Sequence, residues 1–126
     1  GGYAATADYL GGTLTVARAG DLSGASSLPI GAAPVRVTAL AGGQVLVSLQ
    51  GRSEVALVDL ATLSVKRRLK TAARPDGLCV DPGGRNFAVA SNHEGRVEVF
   101  STEAWKSSLQ LNLDPGLGAC LWLAGR

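Results

Sequence analysis

Short apolar runs of five or six residues recur along the chain, separated by glycine-rich or polar turns. Gln44-Val-Leu-Val-Ser48 and Asn86-Phe-Ala-Val-Ala90 are almost wholly apolar inside, as strands buried on both faces read. Ser108-Leu-Gln-Leu-Asn-Leu113 alternates with period two, the pattern of a strand with one covered face. Gly42-Gly43, Gln50–Ser53 and Asp81-Pro-Gly-Gly84 supply the turn signals between runs. The pattern predicts two complete sets of four strands, lettered A to D from the inside outward. The first set is Pro34–Ala39, Gln44–Ser48, Glu54–Asp59 and Ser64–Leu69. The second is Gly77–Asp81, Asn86–Ala90, Arg96–Phe100 and Ser108–Leu113. Gly118–Leu123 reads as one further strand A, and no helix is evident.

The sets repeat. Val45-Leu-Val-Ser48 recurs as Phe87-Ala-Val-Ala90, and Val55–Asp59 recurs as Val97–Ser101, both displaced by 42 positions. A weaker copy, Tyr3–Thr6 with Thr13–Val16, is placed 42 positions upstream. A period near forty with several short strands per unit marks a β-propeller blade rather than a helical solenoid. The expected fold is therefore all-β, a partial β-propeller of about three four-stranded antiparallel blades. One domain covers residues 1–126, with repeats near 3–43, 44–84 and 85–126.

Strand order along the chain then runs B-C-D, A-B-C-D, A-B-C-D, A. Propellers close with at least about four blades, so three predict partner strands from outside the chain. A second copy would give a six-bladed ring; the remainder of a longer parent or a partner subunit would serve equally. The start at Gly1-Gly2, the end at Arg126 and the absence of methionine read as cut points and favour the longer parent.

Composition narrows the functional classes. The 126 residues carry a formal net charge of +2, too small to imply a nucleic-acid partner. The one basic cluster, Lys66, Arg67, Arg68 and Lys70, falls on a D strand, where Lys and Arg block edge-to-edge pairing. No apolar run approaches the roughly 20 residues of a membrane helix. Cys79 and Cys120 stand 41 apart, at near-equivalent places in successive repeats. They are expected as reduced, buried thiols on inner strands. Trp105 and Trp122 are expected to fill space between blades.

The repeats resemble the YVTN type of β-propeller repeat. That pattern sets Pro before the inner strand, Asp-Gly or Pro-Gly after it, an apolar strand ending near Ser-Asn, then Val-x-Val-x-Asp. Pro75-Asp76-Gly77, Asp81–Gly84, Val89-Ala-Ser-Asn92 and Val97–Phe100 follow it, as do Pro34, Gly42-Gly43, Val47-Ser48 and Val55–Asp59. The first repeat departs with Ala4-Ala5 where bulky residues are usual, and Ser101 stands where Asp59 does one blade earlier. Asp8-Tyr9-Leu10-Gly11-Gly12 is similar to a blade turn of lactonase-type propellers, with Asp8 in place of the usual Asn.

Six residues are candidates for a ligand or partner face. Arg36, Arg74 and Asp76 lie at or just before inner strands, where they would line a channel mouth. His93, Glu94 and Arg96 share the turn between strands B and C. Ordinary turn chemistry accounts for both groups as well. No Ser-His-Asp set, phosphate loop or metal-ligand cluster can be assembled, so no catalytic residue, metal or cofactor is expected. The reading is a scaffold that mediates protein–protein interaction or assembly. The alternative is part of a propeller enzyme, a lactonase-like hydrolase or an oxidoreductase, whose active site needs blades outside this chain. Ligand, compartment and total blade number are not legible.

Overall fold

A computed structural model describes residues 2–125. Gly1 and Arg126, read above as cut points, lie outside the described residues. Among the described residues, eleven strands form three antiparallel sheets. The first holds β1 (Tyr3–Asp8), β2 (Thr13–Arg18) and β3 (Ser26–Pro29). The second holds β4 (Pro34–Leu40), β5 (Gln44–Leu49), β6 (Glu54–Asp59) and β7 (Ser64–Lys70). The third holds β8 (Pro75–Val80), β9 (Asn86–Ser91), β10 (Arg96–Ser101) and β11 (Ser107–Asn112). Strand order within each sheet is sequential, so each is a simple meander. The expected three-, four- and four-stranded series is thus observed. One short 3-10 turn, Gln50–Arg52, interrupts it, and no described helix is long and apolar enough to cross a membrane.

The repeat is written in the backbone. Residues with left-handed φ fall at Gly12, Ser53 and Gly95, at Leu22, Leu63 and Trp105, and at Ala33, Arg74 and Gly116. Each series steps by 41 and then by 42. The extra residue sits in the Asp81–Arg85 turn, which joins β8 to β9 and is longer than its counterpart at Ala41–Gly43. Six of these positions carry a side chain against the usual steric preference, so tight turns at fixed phase set the meander more than glycine does.

This phase corrects the first repeat. Asp8↔Thr13 at the end of the β1–β2 ladder matches Leu49↔Glu54 in the second sheet, an offset of 41 rather than 42. Ala4, not Tyr3, is the counterpart of Val45. A one-residue slip moves every side chain to the other face, so the faces of sheet 1 are reassigned accordingly.

Two apolar seams lie between sheets, as the apolar B and C strands imply. Leu14 and Val16 of the first sheet, with Ile30 just after its last strand, meet Val45, Val47, Leu49, Ala56 and Val58 of the second. Leu46, Val55 and Leu57 of the second meet Leu78, Phe87, Val89 and Phe100 of the third. Trp105 joins this seam half-buried: its ring lies 6.2 Å from Phe87, and the Arg67 guanidinium lies 5.2 Å from its centroid. β7 is the outer strand of its sheet, with Lys66, Arg67, Arg68 and Lys70 exposed.

Two expectations fail at the C-terminal end. Cys79 and Cys120 are not free thiols; they form a disulfide, with Cα atoms 5.4 Å apart. Equivalent positions on neighbouring inner segments come within bonding reach, and burial alone does not keep them apart. Gly118–Leu123 is not a ladder strand. No neighbouring strand among the described residues offers it backbone partners. It lies beside β8, so close that a Cβ at Gly77 would collide with the Gly118 carbonyl. Gly116 N–H to the Asn92 carbonyl (2.8 Å) and Asn92 Nδ2 to the Leu117 carbonyl (3.0 Å) steer the chain there. Trp122 in this segment is half-buried.

Candidate interaction face

Because every sheet is an antiparallel meander, its turns divide between two faces. The starts of β4 and β8 share one face with the β1–β2, β5–β6 and β9–β10 turns, as the pairings Pro75↔Ser91 and Pro34↔Leu49 fix. All six candidate residues lie on this face, in two groups.

The inner group spans the seam between sheets 2 and 3. Ala33 and Arg74, with φ of 57° and 58°, precede Pro34 and Pro75 and turn the chain from outer strand to inner strand. Behind that turn, Arg36 Nε donates to Asp76 Oδ1 at 2.7 Å. Ser48 Oγ accepts from the Arg36 amide at 3.1 Å and donates to the Asp76 carbonyl at 2.9 Å. Ser48 is fully buried, so these bonds are made away from water, where an unmade one would be costly. The Arg36 side chain is half exposed, so the ion pair itself contributes at most about 1 kcal/mol. Arg74 Nη2 reaches Gln50 Oε1 at 3.4 Å.

The outer group occupies the β9–β10 turn. His93 and Glu94 are exposed. Arg96 Nη2 stands 3.5 Å from Glu94 Oε2, and its Nε donates to Asn112 Oδ1 at 3.1 Å. The structure thus pairs Arg36 with Asp76 and Glu94 with Arg96, and brings neither pair to His93 in a catalytic arrangement. Among the described residues no three His, Cys, Asp or Glu are grouped to hold a metal.

Sequence reasoning missed two buried carboxylates. Glu54 accepts from Arg52 Nε at 2.9 Å, with Arg68 Nη1 at 3.4 Å and Lys70 Nζ at 3.9 Å, while Arg68 Nη2 donates to the Ile30 carbonyl at 2.9 Å. That network ties sheet 1 to sheet 2. Glu98 accepts from the Ala72 amide at 2.8 Å and ties the linker ahead of β8 to sheet 3. The available signal was a carboxylate next to the valines of each C strand, Glu54 before Val55 and Glu98 between Val97 and Val99. Removing the Glu54 carboxylate by Glu54→Leu takes away the acceptor shared by Arg52, Arg68 and Lys70 and leaves Arg68 with its bond to the Ile30 carbonyl alone. It is expected to cost about 1–3 kcal/mol, read as a shift in urea midpoint without a change in slope.

On the opposite face, Ser23 hydrogen bonds hold Asp21 below the ordinary carboxylate range. Asp81 is also lowered: desolvation pushes it up, and hydrogen bonds from Asn86, Arg85 and Gly84 outweigh that push. Between the inner segments on that side opens a concavity of about 500 Å3, walled by Leu40, Val80, Cys120 and Trp122, with Asp81 its one ionisable side chain.

No protein-family model matches the chain, and no curated protein sequence does. Solved structures do. Hydrazine synthase from Kuenenia stuttgartiensis superposes with a TM-score of 0.85 at 17% identity, over 91% of this chain and 34% of that one. Apo AztD from Citrobacter koseri gives 0.73 at 8% identity, over 88% and 32%. The β-propeller domain of Myceliophteria thermophila Cps50 (Swd1) gives 0.64 at 17% identity, over 71% and 30%. The fold is a partial, propeller-like array of blades. At these identities the likeness carries the fold alone, and the chain spans about a third of each protein it matches.

Proposed function

We propose that this chain is a scaffold segment of YVTN-type repeats, belonging to a larger propeller ring, whose face of loops docks a partner protein. The repeats run near residues 3–43, 44–84 and 85–126. The supporting observation is how the six face residues are used. Arg36 pairs with Asp76 across a seam, and Arg96 pairs with Glu94 along a turn. Paired charges on rigid turns give a partner fixed hydrogen-bonding geometry and suit specificity at an interface rim. Acid–base catalysis instead needs ionisable groups converging within hydrogen-bond reach of a reacting atom, and no such convergence favours the hydrolase or oxidoreductase reading.

The test is site-specific photo-crosslinking inside cells that make the parent protein. A photoreactive residue at His93 should yield a discrete protein adduct, and one at Glu103, on the opposite face, should not. Equal labelling from both positions, or none from His93, would defeat the docking role of this face.

A further inference from the structure

Residues that sheets 1 and 2 bury against the next blade are half-buried or exposed on sheet 3. In sheet 2 the side facing forward along the chain carries Val55 and Leu57, buried under sheet 3, with Leu69 beside them. Their counterparts, 42 positions on, are Val97, Val99 and Leu111. The ladder places Leu109 opposite Val99 and Leu111 opposite Val97, so all four share one side of sheet 3. Leu109 is 67% and Leu111 57% exposed. Large exposed apolar side chains grouped on one side of a sheet mark an interaction site.

We infer that this side of sheet 3 is the seat of a three-stranded antiparallel β-meander, which takes Gly118–Leu123 as its inner strand. The inference rests on the ring reading above and names what completes it at this end. The molecule supplies the template twice. At each existing seam, a bare valine–leucine side receives a sheet whose opposing side carries large apolar groups: Val45, Val47 and Val58 at one, Phe87, Val89 and Phe100 at the other. The seat is also prepared. The Cys79–Cys120 disulfide holds the unpaired segment beside β8, where an incoming strand finds its backbone groups free.

A second copy of this chain is a poor occupant. The positions of sheet 1 equivalent to Val45, Val47 and Val58 are Ala4, Thr6 and Ala17, paired in the ladder as Ala4↔Ala17 and Thr6↔Thr15. Thr15 is itself hydrogen-bonded to Ser27 at 2.7 Å. Setting alanines and threonines on Leu109 and Leu111 would leave voids where the other seams have valine or phenylalanine, and poor packing of that kind forfeits most of the gain from burial. The occupant is therefore a meander whose inward side bears bulky residues, as the sheet 3 side facing sheet 2 does.

The test extends the chain after Trp122 with a second copy of its own residues 81–113, joined in the phase that equates Val80 with Trp122. Three readouts apply: hydrogen exchange at 118–122, fluorescence of an apolar-surface dye, and the effect of the pair Leu109→Lys and Leu111→Lys. On extension, exchange at 118–122 should slow roughly tenfold or more, while dye fluorescence should hold level, because the added copy of 81–113 carries the same valines and leucines on its own far side. The lysine pair should lower dye binding in the original chain without unfolding it, and should unseat the added meander in the extended one. Unchanged exchange at 118–122 on extension would overturn the inference. So would a stable dimer of the original chain that buries Leu109 and Leu111, or an original chain whose dye binding ignores the lysine pair. None of these outcomes depends on crosslinking from His93, so failure here is distinct from failure of the loop-face reading.

Discussion

Replacing Phe87 by alanine is expected to destabilise the protein by about 3–5 kcal/mol, the range for a fully buried aromatic truncated to a methyl. Phe87 has no exposed surface and stacks on Phe100 with ring centroids 5.2 Å apart. Its other neighbours come from both sides of the second seam: Leu46, Val55 and Leu57 from sheet 2, Val89 and Trp105 from sheet 3. The surrounding residues hang on two separate hydrogen-bonded ladders, so the site cannot collapse without moving one sheet against the other. Relaxation is poor where the cavity is walled by rigid elements, which places the loss toward the upper end of the range. Leu109→Ala, at an exposed position of the same sheet, should stay within about 0.5 kcal/mol in the isolated chain. Urea titrations followed by tryptophan fluorescence measure both. A loss below about 1 kcal/mol for Phe87→Ala would mean that the seam between sheets 2 and 3 is not packed as described.

The strands were legible because turn chemistry and apolar alternation agreed in sheets 2 and 3. Asp81-Pro-Gly-Gly84 and Gly42-Gly43 end the inner strands where the structure ends them, and the 42-residue echo of Val55 in Val97 is a true ladder equivalence. Sheet 1 was misphased by one residue because Ala4, Ala5 and Ala7 give no contrast between buried and exposed sides. Only the turn at Gly12, with its left-handed φ, fixes that register. The shared face of the six candidate residues was readable from meander topology. Their pairing was not: Arg36 and Asp76 lie 40 positions apart, and contact between them depends on Ser48 drawing two inner strands together. The cysteine spacing placed two thiols on neighbouring inner segments, but a spacing of 41 does not encode the 5.4 Å between their Cα atoms. A lone Glu98 between Val97 and Val99 was the most informative signal passed over, since a carboxylate there must be buried and must find a donor. The Ala72 amide is that donor.

Breaking the Cys79–Cys120 bond is expected to release the C-terminal segment before it unfolds the sheets. The bond closes a loop of 41 residues in the unfolded chain, which by chain entropy alone amounts to about 4 kcal/mol of stability. Part of that is returned in the folded state. Gly118–Leu123 belongs to no ladder, and between the end of β11 and Cys120 it is held by the Gly116–Asn92 and Leu117–Asn92 hydrogen bonds. Freeing so short a tail restores about 2.5 kcal/mol of loop-closure entropy to the reduced folded chain, leaving a net global loss of about 1.5 kcal/mol. Cys120→Ser, or the wild-type chain in reductant, should therefore lose exchange protection at Gly116, whose amide bonds the Asn92 carbonyl, while the amides of β5, β6, β9 and β10 keep theirs. Leu78 and Val80 should also become more exposed, because the departing segment lies along β8. If instead the reduced chain loses the full 4 kcal/mol and Gly116 stays protected, then packing against β8 holds the segment in place. The disulfide would in that case act on the unfolded chain alone, and the seat for a fourth meander would exist without it.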